Sequence, residues 1–141
     1  MTDASKKLTE IFKPFHVRIA YAFGSRAQEV KEYLTATMRM ETTSLSDIDI
    51  GIKASDDPLL SVHSKVRLAL ALEDLLGVQR VDLVSLDEAD PFLAANIVRG
   101  ERIFCEDPYL ADEYELYVLR RAGDLAPFER HRIDEILAQN P

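Results

Sequence analysis

The spacing of hydrophobic residues along the chain predicts an alternation of helices and strands. Residues 4–12 place apolar side chains three and four positions apart, which is typical of an amphipathic helix, and Pro14 ends it. Residues 16–23 (HVRIAYAF) alternate with a period of two instead and predict a strand. Gly24 breaks this strand, and residues 25–34 are compatible with a second helix. The N-terminal region therefore predicts a helix, a strand and a helix in succession.

The same alternation continues through the rest of the chain. Residues 47–52 (DIDIGI) predict a strand. A helix follows, with Asp56 or Asp57 as its cap and Pro58 in its first turn, and Gly77 ends it. The remaining predicted elements are a strand at 80–86, a helix at 90–100, a strand at 101–106, and a helical region after Pro108 with a break at 122–127.

Strands separated by helical stretches predict an α/β fold, in which helices flank a mixed β-sheet of about four or five strands. A length of 141 residues suits one compact domain. We expect a core over residues 1–106 and a helical segment over 107–141 that packs on the core or on a partner. Residues 35–46 show no sustained periodicity, and we interpret the region around 29–46 as an insertion in the core.

The charge and the apolar content of the chain disfavour two classes of protein, namely nucleic acid binders and membrane proteins. The chain carries 25 acidic and 17 basic residues and a net charge of -8, which disfavours direct binding of a nucleic acid polymer. A small anion held by metal ions is still compatible with this charge. No apolar run approaches the roughly 18 to 20 residues that span a bilayer, and the N-terminus lacks the apolar core of a signal peptide. We therefore expect a cytoplasmic protein without membrane contact.

Three aspartates interrupt two apolar predicted strands. Asp47 and Asp49 lie two positions apart, so they share a face with Cα atoms roughly 6.5 to 7 Å apart. Asp82 lies in the next strand, where aspartate is disfavoured. A divalent cation such as Mg²⁺ relieves the repulsion of clustered carboxylates, and two such ions serve phosphoryl and nucleotidyl transfer. The alternative is that Asp47 and Asp49 only line the polar face of an edge strand.

The Gly-Ser pair after the first strand is a candidate phosphate-binding turn. Gly24 allows the backbone to turn sharply and to approach a phosphate closely. Ser25 follows at a predicted helix start, where free N–H groups favour an anion. Arg26 is a further candidate for a phosphate contact, and it is equally compatible with a solvated helix position.

These segments together carry a resemblance to a known family. FGSRA (23–27), SDIDI (46–50) and VDLVSL (81–86) resemble the minimal nucleotidyltransferase family of the DNA polymerase β-like nucleotidyltransferase superfamily. The motifs cover about residues 17–86. The C-terminal segment 114–137 also resembles the tail of the family's antitoxin branch, whose members are paired with HEPN-type toxins.

The resemblance implies a reaction and a set of residue roles. It implies the transfer of AMP from ATP to a hydroxyl, namely a tyrosine of a partner HEPN ribonuclease toxin, within a hetero-oligomer. Gly24 and Ser25 would bind the triphosphate. Asp47 and Asp49 would hold two Mg²⁺ ions, and Asp82 would be the third ligand and would help to deprotonate the attacking hydroxyl.

The chain departs from the family pattern in two places. The gap between Ser25 and Asp47 is about twice the usual length, and the glycine that often follows the Gly-Ser pair is absent. Neither departure removes a predicted ligand. Two other functions stay open: a non-catalytic antitoxin that only binds the toxin, and a nucleotidyltransferase whose acceptor is a small hydroxylated molecule.

Overall fold

The computed structural model describes residues 2–36, 47–55 and 60–139, and in these ranges a four-stranded sheet carries helices on both faces. Within them, no helix is long and apolar enough to cross a membrane. A short 3₁₀ turn, Lys13–Phe15, follows the first helix. The elements in chain order are α1 (Asp3–Phe12), β1 (Val17–Phe23), α2 (Ala27–Ala36), β2 (Ile48–Ala54), α3 (Val62–Leu76), β3 (Val81–Ser85), α4 (Pro91–Val98), β4 (Glu101–Cys105) and α5 (Pro108–Gln139).

The sheet is mixed, as the sequence predicted, with the strand order β3-β2-β1-β4. Strand β1 runs antiparallel to both β2 and β4, whereas β2 and β3 are parallel. The carboxyl end of β1 therefore lies beside the amino ends of β2 and β3. This one end of the sheet brings together the Gly-Ser pair and the three aspartates.

The central strand β1 is buried on both faces. Ala20 and Ala22 pack with helices α1, α2 and α3, while Ile19 and Tyr21 pack with α4 and α5. Helix α4 packs closely against the sheet at Gly51, where an added Cβ atom would overlap the side chain of Ile97. The two helical layers hold β1 and β2 in fixed register beneath the site.

Most predicted boundaries hold within a few residues, and two helix starts are corrected. Helix α2 begins at Ala27 instead of Ser25 and extends to Ala36, so residues 29–36 of the expected insertion are helical. Residues 37–46 lie outside the described ranges. Helix α3 begins after the N-cap Ser61, whose hydroxyl accepts a hydrogen bond from the Ser64 N–H. The predicted capping residues, 56–58, also lie outside the described ranges.

The break predicted in the last helix is wrong, since α5 continues through Pro127. A proline ring crowds the carbonyl four residues earlier. That residue is Gly123, whose backbone can tilt to relieve the contact. In the first half of α5 the residues Ala111, Val118 and Ala122 are buried against the domain. The first half therefore packs on the core, and residues 130–139 are exposed.

Candidate active site

The candidate site lies where β1 ends and β2 and β3 begin. Phe23, the residue before Gly24, pairs with Asp49 across β1 and β2. Asp49 in turn pairs with Asp82 across β2 and β3. This register places the turn after β1 and two of the predicted aspartates in one row across three strands.

A second row lies beside the first and contains a residue that the sequence analysis did not identify. Asp47 precedes Asp49 by two positions, and Arg80 precedes Asp82 by two. The backbone N–H of Ile48 donates to the Arg80 carbonyl at 3.2 Å, which keeps the strands in register here. The site is therefore a two-by-two patch of three carboxylates and one guanidinium.

Arg80 makes ion pairs with both flanking carboxylates. Its Nε lies 3.6 Å from Asp47 Oδ2, and its Nη2 lies 3.3 Å from Asp82 Oδ1. Both distances exceed the 2.7–2.9 Å that is typical of a strong charge-assisted hydrogen bond. The Arg80 side chain is also 69% exposed. These contacts are consequently loose and solvent-screened.

Asp49 is the most perturbed carboxylate of the patch. Its burial raises the pKa of the Asp49 carboxyl, and the nearby charges of Asp82 and Asp47 raise this pKa further. Burial and the two like charges therefore disfavour the ionised form of Asp49, and a bound proton or cation would relieve both effects.

The chemistry of these side chains fits a hard divalent cation such as Mg²⁺, which prefers carboxylate oxygens. Their mutual repulsion, visible in the raised pKa of Asp49, is the electrostatic condition that such a cation relieves. Across residues 2–36, 47–55 and 60–139, no group of three His, Cys, Asp or Glu side chains is placed so that it could hold a metal ion without rearrangement. In this structure, Asp47 and Asp82 are instead arranged around Arg80.

Gly24 brings the backbone against Asp49. Its φ of 78° lies in the left-handed region that favours glycine, and an added Cβ atom would overlap Asp49 Oδ2. The N–H of Ala27 donates to the Gly24 carbonyl at 3.3 Å and closes the turn. Ser25 is exposed at the tip of this turn, two residues before α2. The Gly-Ser pair thus forms an open rim directly beside the carboxylates.

Arg26 occupies a different environment from Ser25. It is buried, with 8% of its surface exposed, and its Nε and Nη2 donate to the two carboxylate oxygens of Glu29, each at 2.9 Å. This bidentate pair connects the turn to the first turn of α2. A phosphate contact by Arg26 stays a prediction, and it would require the guanidinium to be shared with Glu29.

Arg80 could have been identified from the sequence. In RVD, residues 80 and 82 are two positions apart and share a strand face, as in the DID motif. Only aspartates were considered above as paired residues on a strand face. The overlooked signal is Arg80, a cation two positions before Asp82.

A sequence profile of the family described as Polymerase beta, Nucleotidyltransferase matches residues 6–109. No curated protein sequence gives a significant match. The profile covers α1 to the start of α5, and so includes every predicted site residue. This match confirms the resemblance that the three motifs indicated.

Solved structures match nearly the whole chain. A mutant of the toxin–antitoxin pair MntA–HpeT gives a TM-score of 0.71 at 20% identity, over 94% of this chain and 98% of the other. A toxin–antitoxin structure with AMP-PNP gives 0.67 at 21%, over 94% and 98%. A tri-AMPylated Shewanella oneidensis HEPN toxin in complex with an MNT antitoxin gives 0.67 at 20%, over 95% and 96%.

At these identities the structural matches show the fold, and they confirm the predicted α/β class with its helical C-terminal segment. The profile match covers well over half of the chain and includes the strands that carry the site. The chain belongs to the polymerase β nucleotidyltransferase family.

Proposed function

We propose that the chain transfers AMP from ATP to a tyrosine hydroxyl of a partner HEPN ribonuclease toxin and thereby neutralises it as an antitoxin. The observation that carries this proposal is the direct contact between the Gly24 turn and the carboxylate row of Asp49 and Asp82. Two of the similar structures support the choice of substrates, since one contains AMP-PNP and the other a tri-AMPylated HEPN toxin.

The exposed turn is where the nucleotide would bind. Gly24 packs against Asp49 without a side chain, so the exposed face of the turn stays open to a phosphate, and the exposed Ser25 hydroxyl can donate to a phosphate oxygen. Arg26 would add positive charge behind the turn while keeping its contact with Glu29. The turn would thereby fix the β- and γ-phosphates and leave the α-phosphate over the aspartates.

Asp47, Asp49 and Asp82 would hold the Mg²⁺ ions, two by our interpretation. When bound, Mg²⁺ would neutralise the triphosphate and orient it for in-line displacement. The raised pKa of Asp49 supports this assignment, because burial and the charges of Asp82 and Asp47 raise it and a cation at the patch would offset them.

The proposed reaction forms one bond and breaks one bond at the α-phosphorus of ATP. The tyrosine oxygen of the acceptor forms a bond to the α-phosphorus of ATP, and the α–β phosphoanhydride bond breaks. Pyrophosphate leaves, and Asp82 accepts the proton of the hydroxyl. Asp82 suits this role because it is part of the patch and its side chain is 43% exposed, within reach of an incoming acceptor.

The acceptor would come from another molecule. One of the similar structures supports this proposal, since it is a complex of an MNT antitoxin with a HEPN toxin that is itself tri-AMPylated. The proposed acceptor is therefore a tyrosine on a separate protein chain. We therefore propose a hetero-oligomer of this chain with the toxin.

Intact mass spectrometry of a co-expressed HEPN toxin tests the proposal. With the natural chain we expect toxin mass to increase by whole AMP units, located on a tyrosine. The double variant Asp47→Asn/Asp49→Asn should abolish the increments, because it removes two metal ligands. Asp74→Asn, on the exposed side of α3, is the matched control and should leave them intact.

The other outcomes separate the two alternatives. A toxin that stays unmodified yet is neutralised would make this chain a non-catalytic antitoxin that acts by binding. A toxin that stays active and unmodified, with AMP transferred to a small hydroxylated molecule, would keep the transferase and replace its acceptor.

A further inference from the structure

We propose that Arg80 exchanges partners during the binding of the metal–nucleotide: it pairs with Asp47 and Asp82 in the free site and with a phosphate in the loaded one. This inference rests on the proposed function, since it assigns a positioning role at the same site. Arg80 lies outside the Gly-Ser turn and outside the aspartate set.

The position of Arg80 follows from the strand register. Residue 80 immediately precedes β3, and its carbonyl accepts a hydrogen bond from Ile48, the first residue of β2. Its side chain therefore lies on the same face as Asp47 and Asp82 and contacts a carboxylate oxygen of each. A neutral side chain at this position would leave both carboxylates without their ion pair.

The contacts of Arg80 are suited to exchange. At 3.6 and 3.3 Å they are longer than strong charge-assisted bonds, and the side chain is 69% exposed. Exposed ion pairs of this kind contribute little free energy. A divalent ion binds carboxylate oxygens at about 2.0–2.1 Å with twice the charge. The metal would therefore displace the guanidinium, which can turn into solvent without leaving a buried site.

The displaced guanidinium remains attached at the rim of the patch. The triphosphate would lie across the exposed surface of the Gly24 turn and the aspartates, and Asp82 adjoins Asp49 in the row next to that turn. A planar guanidinium binds phosphate oxygens well, often through two parallel hydrogen bonds. Arg80 would thus oppose a free metal ion but favour a metal ion that arrives with a nucleotide.

The proposed exchange predicts that the variant Arg80→Met changes two dissociation constants in opposite directions. Arg80→Met removes a positive charge that competes with the metal, so the Kd for Mn²⁺ alone should fall about three- to tenfold. The same variant loses a phosphate partner, so the Kd for Mn²⁺ with a non-hydrolysable ATP analogue should rise about three- to tenfold. Titration calorimetry on the full chain measures both constants without relying on activity.

Two control variants separate this role from a change of net charge. Arg80→Lys keeps a cation at the rim, so the Kd for Mn²⁺ alone should stay within about twofold of the natural chain. The Kd for Mn²⁺ with the analogue should rise less than in Arg80→Met, because the ammonium keeps the charge but lacks the planar pair of donors. Arg18→Met makes the same charge change at the opposite end of β1, on an exposed residue, and should leave both constants within about twofold. Thermal melts check that every variant folds.

If neither Kd changes in Arg80→Met, or if both Kd values change in the same direction, the proposed exchange of partners is wrong. The failure of the proposed function looks different: the natural chain itself would then bind neither Mn²⁺ nor the analogue. Normal binding by the natural chain with an inert Arg80→Met variant would leave the proposed function intact and remove only the role of Arg80.

Discussion

At the scale of single residues, Gly24 is required for two separate reasons. Its backbone has a φ of 78°, and the space beside its Cα is filled by the Asp49 carboxylate. Gly24→Ala should therefore lower the free energy of unfolding by more than about 2 kcal/mol, through backbone strain of about 1–2 kcal/mol plus the overlap. It should also displace Asp49 and weaken nucleotide binding. Chemical denaturation and calorimetry measure the two effects.

Gly77 provides the matched control for this substitution. Its φ of 68° imposes the same backbone strain, but a Cβ atom there would meet nothing within 4 Å. Gly77→Ala should cost about 1 kcal/mol and leave nucleotide binding unchanged. Equal losses of stability in the two variants would mean that the contact with Asp49 is unimportant.

Asp49 is expected to reduce the stability of the metal-free protein. Burial and the charges of Asp82 and Asp47 raise the pKa of Asp49 above its value in the unfolded chain. Asp49→Asn removes the repelled charge, so in the presence of a chelator at pH 7 it should raise the melting temperature by a few degrees. A lower melting temperature would show that the carboxylate stabilises the fold instead.

The pH dependence of this gain has a definite sign. A carboxyl whose pKa is higher in the folded state costs stability as the pH rises through the interval between its unfolded and folded pKa values. The gain from Asp49→Asn should therefore be present at neutral pH and disappear below the ordinary aspartate pKa of about 3.9. Melting curves recorded across this range give the comparison.

At the scale of elements, a polar network fixes α5 to the sheet. The Tyr21 hydroxyl, on a fully buried side chain of β1, donates to Glu115 Oε1 at 2.6 Å. Arg102 of β4 donates to the same oxygen through Nε at 3.0 Å and Nη2 at 2.7 Å. Burial and the bond to Glu115 raise the pKa of Tyr21 far above its ordinary value. One carboxylate thus joins two strands to the helix.

Removal of this carboxylate should destabilise the domain strongly. Glu115→Ala removes the acceptor of the Tyr21 hydroxyl proton and one of the two carboxylate partners of Arg102, so the free energy of unfolding should fall by about 2–4 kcal/mol. Glu113→Ala, on an exposed position of the same helix, should change it by less than about 0.5 kcal/mol. Urea denaturation of both variants tests the difference, and equal effects would contradict it.

The sequence predicted the elements well because their signals are local. Local patterns predicted every strand and α-helix of the described ranges but not the short 3₁₀ turn Lys13–Phe15, and the DID motif placed Asp47 and Asp49 on one face. Contacts between distant residues carry no such pattern. Tyr21 and Glu115 are 94 positions apart, and the ion pairs of Arg80 with Asp47 depend on a strand register that only the folded sheet defines.

The errors at helix ends have an equally physical origin. Several residues of similar capping ability competed for the start of α3, and Ser61 is the one whose hydroxyl bonds to the first turn. Pro127 indicated a break because proline removes one hydrogen bond, yet the helical segments on both sides are long enough to outweigh that loss. At this position, one proline in the sequence is therefore not enough to end the helix.

At the scale of the whole molecule, the candidate site depends on the sheet and on the half of the last helix that packs against it. The rows of Asp47, Asp49, Arg80 and Asp82 lie where β2 and the edge strand β3 begin, in a sheet whose two faces are covered by the two helical layers. Helix α5 has 32 residues and is about 48 Å long, so it extends beyond the face that it covers. The stability of the site should therefore depend on the first half of α5 and not on the second.

Truncation of the last helix tests this division. Removal of residues 131–141 takes away the exposed residues 131–139 and two surface ion pairs, His131 with Glu135 and Arg132 with Glu129, so the free energy of unfolding should change by less than about 1 kcal/mol. Removal of residues 117–141 takes away Val118 and Ala122 as well, and the lost apolar burial should cost more than about 2 kcal/mol. Denaturation curves of the two truncated chains give both values. A large loss on the shorter deletion would mean that the far end of α5 stabilises the domain through contacts beyond those of Ala111, Val118 and Ala122.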